Sequence, residues 1–305
     1  MIRWLAIVAC ALTVCITASS AFLRHSQAGL GCPGGPNCER SIDAGAQAPA
    51  PGIGAARALH RVSAMLVGVL VLLVAVFGWP SMRTGARAVL AFALADTAFL
   101  AWLGRLTPHP LPLVTIGTLV GGIALAAAFA WIAASLRPMS PAAGRSPTTP
   151  ALVALALLGA AAWIGTMIGA HDAIGACEGA RCAGSLRLDA DALDPLRAAH
   201  ALDAAGARGL HWLHRAVAAA FAIAALLVAA RARRSEAGLA AVLLLALLVA
   251  QIATGIGTTI GSRPLTTATL HNAFATLLAV MLAAIAARSL SGRLRARSAT
   301  ATGSG

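Results

Sequence analysis

The sequence predicts an all-α polytopic membrane protein, eight transmembrane helices arranged as two tandem pseudo-symmetric four-helix bundles. The first observation is composition: 59% of the 305 residues are hydrophobic and only 11% charged, with a mean hydropathy of +0.82, which soluble domains do not reach. The second is a series of eight apolar runs, each close to the roughly 20 residues that cross a hydrocarbon core. The third is a repeat, since His60-Arg61 returns as His214-Arg215, 154 residues on.

The runs are taken as helices because lipid offers the backbone no hydrogen-bond partners. The first, about residues 4–23, holds Cys10 and Cys15 as small core residues. It ends in "TASSAFL", whose small residues would also suit a cleaved signal peptide. Removing it would break the repeat, so it is kept as a helix. The second and third, about 60–79 and 88–104, follow; the third contains Asp96. The fourth, about 112–135, closes an N-terminal half over residues 1–137. A Pro- and Ser-rich linker at 138–150, within "RPMSPAAGRSPTTP", separates the halves. The C-terminal half, 151–288, holds the runs at about 151–171, 210–230, 238–258 and 265–287. A basic tail, 289–305, is expected to be disordered and near anionic lipid.

The net charge of +13 has its explanation in topology, so no nucleic-acid partner is expected. There is no lysine. With the N-terminus cytoplasmic, the inner side receives Arg3, Arg83, Arg87, Arg137, Arg145, Arg231, Arg233, Arg234, Arg288, Arg293, Arg295 and Arg297. Glu39, Asp43, Asp172, Glu178, Asp189, Asp191, Asp194 and Asp203 fall in outer loops. That asymmetry places both termini inside a bacterial-type inner membrane.

Each half has a long outer loop between its first and second helix. One reads "GLGCPGGPNCERS", with Cys32 and Cys38; the other reads "AIGACEGARCAGS", with Cys177 and Cys182. Facing the oxidising side, each pair can close a disulfide, structural or redox-active. A zinc site would use similar residues.

Ionisable groups at membrane depth tend to face a bundle interior and to have a task. His60 and His214 head the second helix of their halves, and His271 lies one turn inside the eighth. His214 and His271 are thus placed to offer axial nitrogens to a heme iron. Arg215, and Arg61 in the first half, could hold propionates by charge-assisted hydrogen bonds. His211, three residues before His214, is either a supporting partner or an interfacial polar residue. His25, His109, His171 and His200 read as solvated loop or boundary residues. The first-half equivalent of His271 is Gly117, so His60 has no matching second ligand.

Taken together, "LHR" at 59–61 and 213–215, "AGLGCPGGPNC", "AQIATGIGTTIGSRPLTTATLHNA" and "TLHNAFATLL" resemble the heme A synthase family of cytochrome oxidase assembly. Members oxidise a porphyrin methyl group of heme O, through hydroxylation, to the formyl group of heme A. The resemblance implies heme b on His214 and His271, with substrate heme O near His60. It implies heme transfer or redox chemistry at Cys32 and Cys38. Heme O synthase, oxidase assembly factors and the lipid bilayer are the implied partners, with homo-oligomerisation left open. Two departures stand out. The family's glutamate three residues before the first His-Arg is here Arg57, the nearest acid in that loop being Glu39, the candidate catalytic acid or base beside His60. Many members have histidine where Gly117 stands. A non-catalytic heme-binding relative is therefore one alternative; a transporter using Asp96 and Gln251 is another.

Overall fold

The computed structural model describes residues 1–27, 52–107, 111–137, 146–177, 181–233, 238–260 and 264–302. Among them are eight helices long and apolar enough to cross a membrane, and no strand. They are α1 (Ile2–Gln27), α2 (Ile53–Gly78), α3 (Thr84–Gly104), α4 (Pro112–Ser135), α5 (Thr148–Ala170), α6 (Ala204–Ala232), α7 (Gly238–Ile260) and α8 (Pro264–Thr302). With eight successive helices, α1 begins and α8 runs out at one end of the bundle, where Arg3 and Arg288 line one cavity. The end of α1, the start of α8 joined to it through Arg24 and Asn272, and the described part of the α5–α6 connection lie at the other.

Helices α1 to α4 close one ring: α1 packs on α2 and α4, and α3 on α4 and α2. Helices α5 to α8 close another, in which α5 packs on α6 and α8, and α7 on α8 and α6. The rings meet along α4 and α8, with α1 also against α8 and α4 against α5. Small residues let these backbones approach closely. Ala6 and Ala9 of α1, Phe129 and Ile132 of α4, and Ala283 of α8 share one core. Leu158, Phe221, Leu244, Leu278 and Leu282 build the other. Thr17 and Thr276 hydrogen-bond across the seam at 3.1 Å.

Three boundaries differ from expectation for one reason: hydropathy marks the part of a helix that lies in lipid, whereas the helix itself runs on while its backbone bonds continue. Helix α2 begins at Ile53 rather than near 60. Helix α6 begins at Ala204 rather than near 210, started by Asp203, whose carboxylate accepts from the Gly206 amide at 2.8 Å. Helix α8 continues to Thr302, so the tail expected to be disordered is helical over most of its length. Ser146, at the end of the linker, ties the start of α5 to α6 and α8 within the second ring. Its hydroxyl bonds Thr148 and Ser289, and its carbonyl accepts from Arg231.

Candidate functional site

His214 sits on the turn of α6 that faces α5. Its Nδ1 lies 3.1 Å from the Ala161 carbonyl oxygen. A carbonyl only accepts, so Nδ1 carries the proton and Nε2 keeps its lone pair. One turn along α5 stands Gly165, where a Cβ would come within 3.3 Å of His214 Cε1. The ring therefore lies directly over backbone.

His271 of α8 repeats the arrangement against α7. Its Nδ1–H donates to the Gln251 carbonyl at 3.0 Å. Gly255, again four residues on, makes the room, because a Cβ there would approach His271 Cε1 to 2.9 Å. The Gln251 side-chain amide donates to Nε2 of the same ring at 3.2 Å, leaving its own Oε1 buried without a partner. His214 and His271 lie within electrostatic reach of each other. Two imidazoles, each held by a backbone carbonyl in the tautomer that leaves the lone pair on Nε2, are a donor set that fits heme iron.

In the first ring, His60 of α2 makes the weaker version of this contact, Nδ1 to the Ile16 carbonyl at 3.4 Å. Position 117 is crowded by side chains of α3: a Cβ on Gly117 would meet Leu103 Cδ1 at 2.6 Å, so that Leu103 would have to shift, and would touch the Phe99 ring at 3.6 Å. Gly121, one turn on, lets α3 approach equally closely, with Asp96 Oδ1 at 3.1 Å from its would-be Cβ. Asp96 is thus a buried residue of the α3–α4 seam, its Oδ2 without a partner. Arg57 and Arg61 are exposed. Arg215 is half-buried, its guanidinium 6.0 Å from the Trp212 ring centre.

Cys177 and Cys182 form a disulfide, Cα atoms 4.6 Å apart. Cys32, Cys38, Glu39 and His109 lie outside the described residues. His211 is 6% exposed and its Nε2–H donates to the Ala173 carbonyl at 2.8 Å, tying α6 to the chain that leaves α5. His171 and His25 correct the expectation of solvated histidines. His171 is 3% exposed, Nδ1 bonded to the His200 carbonyl, because the loop folds down over the end of α5. His25 belongs to the last turn of α1, where its Nε2 accepts from the Asn272 amide at 3.3 Å and Arg24 donates to Asn272 Oδ1 at 3.1 Å. Sequence reading missed this α1–α8 contact, and no residue pattern signals it. It also missed Gly165 and Gly255, although two glycines in segments facing two histidines were visible.

The family model described as cytochrome oxidase assembly protein (COX15-CtaA) matches residues 53–283. No curated protein matches the chain. The matched span covers most of the chain and contains His60, His214, His271, Gly165 and Gly255. The chain belongs to the cytochrome oxidase assembly protein family.

Proposed function

We propose that the protein is a heme A synthase, oxidising a porphyrin methyl group of heme O to the formyl group of heme A during cytochrome oxidase assembly. In this reading the α5–α8 ring holds heme b on His214 and His271, and the α1–α4 ring receives heme O beside His60. The observation that carries it is the paired geometry of His214 and His271, each with Nδ1–H on a neighbouring helix's carbonyl and a glycine one turn along. A heme held there would supply one-electron chemistry. The chain's own residues hold the ring nitrogens in one tautomer, shield them with aliphatic helix faces and offer Arg215 to a propionate at the water boundary. Glu39 and the Cys32–Cys38 pair are assigned to proton and redox handling around the substrate. A heme O synthase would supply that substrate, and the site would lie in the inner membrane with both termini cytoplasmic.

Gly117 favours a second reading. With Leu103 over this position, the first ring offers one evident nitrogen ligand, His60, as a non-catalytic heme-binding relative also would. Chromatography of the hemes extracted after co-production with a heme O synthase separates the two. Heme A or its hydroxylated precursor beside heme b is the expected result. Heme b alone would establish the non-catalytic relative, and absence of any heme would overturn both.

A further inference from the structure

At the end of the bundle that carries the termini, a cavity of about 620 Å³ opens where α1, α4 and α8 meet. Apart from Cys10, whose thiol donates to the Ala126 carbonyl, its walls are aliphatic, among them Ile7, Val14, Ala134, Leu277 and Ala284. Three arginines stand at its mouth: Arg3 from the first turn of α1, Arg137 just past α4, and Arg288 from α8.

Two features say what this groove is shaped to take. The first is length. From Arg3 to Val14 on α1, and from Arg288 to Leu277 on α8, the helices rise roughly 16 Å, about half of a hydrocarbon core ~30 Å thick. The groove therefore spans one leaflet. The second is charge. Arg288 Nε–H donates to the Arg137 backbone carbonyl at 3.2 Å, which ties the arginine of α8 to the end of α4. Among the described residues none of the three arginines pairs with a carboxylate, since the ion pairs Arg187–Asp203, Arg197–Asp191 and Arg197–Asp194 all lie between α5 and α6 at the opposite end. Grouped cations without a counter-charge call for an anion, and a basic pocket between helices at headgroup level suits a phosphate ester.

We propose that this groove is a site for one anionic glycerophospholipid, its phosphate held by Arg3, Arg137 and Arg288 and an acyl chain laid along α1 and α8. Because α1 and α4 belong to one ring and α8 to the other, the lipid would bridge the two halves. The proposal does not depend on the heme A synthase reading.

The test is native mass spectrometry of the detergent-purified full chain, with quantitation of extracted lipid. Four proteins are compared: the unaltered chain, Arg3→Gln/Arg137→Gln/Arg288→Gln, the groove-filling Ala284→Phe, and Arg83→Gln/Arg87→Gln as a control at the same end but outside the groove. The expected result is one retained anionic phospholipid on the unaltered chain and the control. Loss of three arginine contacts should weaken retention of phosphatidylglycerol about a hundredfold, and Ala284→Phe should displace it with all charges intact. Should Ala284→Phe not assemble, Ala134→Leu fills the same groove more modestly. Equal retention in all variants, equal preference for phosphatidylcholine, or a porphyrin in place of the phospholipid would each overturn the proposal.

Discussion

His271 is held at both ring nitrogens by one residue. Nδ1–H donates to the Gln251 carbonyl at 3.0 Å, and Nε2 accepts from the Gln251 side-chain amide at 3.2 Å. The backbone contact sets the tautomer and the side-chain contact competes for the lone pair that an iron would take. In the proposed heme b site Gln251 would therefore both prepare His271 as a ligand and cover it.

Gln251→Leu keeps the carbonyl and removes the competing amide. A net hydrogen bond contributes about 1 kcal/mol, so heme titration of the apo-protein should show about fivefold tighter binding. Unchanged or weaker affinity would mean that the amide does not compete with the iron.

Gly255→Ala and Gly165→Ala should lower heme b content. In an ordinary helix this exchange stabilises by roughly 0.5–1 kcal/mol, but here the new methyl would press on His271 or His214. Gly159→Ala, whose Cβ meets nothing within 4 Å, is the control and should keep its full visible spectrum.

His214→Ala and His271→Ala should abolish the low-spin heme b spectrum while the protein still inserts in the membrane. An unchanged spectrum in either variant would remove that residue from the ligand set.

Cys177→Ser with Cys182→Ser opens a small loop, and chain entropy puts the cost at about 2 kcal/mol. The thermal midpoint should fall while heme b stays bound. Cys32→Ser with Cys38→Ser should instead reduce heme A yield without loss of heme b, and an unchanged yield would leave those cysteines no part in the chemistry.

Gly117→His should destabilise the chain by about 1–3 kcal/mol through overpacking, because Leu103 fills the space. Gly117→His with Leu103→Ala should relieve most of that cost. Thermal melts of the two variants decide it, and equal melts would show that α3 moves aside without resistance.

How legible the site was depended on the kind of atom involved. His214 and His271 could be read directly, because an ionisable side chain in an apolar run is conspicuous and its His-Arg context recurs. Their acceptors could not, because the Ala161 and Gln251 carbonyls are backbone groups that every residue possesses. Asp96 was visible as an anomaly, but its position against Gly121 depends on how closely α3 and α4 approach. His171 and His25 were misread because burial at a helix end depends on what folds over it.

The sequence by itself determined the all-helical class and the eight apolar helices, because the demand of lipid for internally paired backbone acts on each segment alone. The gathering of polar groups at one end follows from where they fall in those segments. The tertiary structure decided which helices are neighbours, which carbonyl each histidine addresses, and that α1, α4 and α8 enclose a groove under three arginines. Those outcomes turn on the rotation and close approach of helices more than 100 residues apart in the chain, such as α1 and α4, joined by Cys10 and the Ala126 carbonyl. Packing selects such contacts, and hydropathy is blind to them.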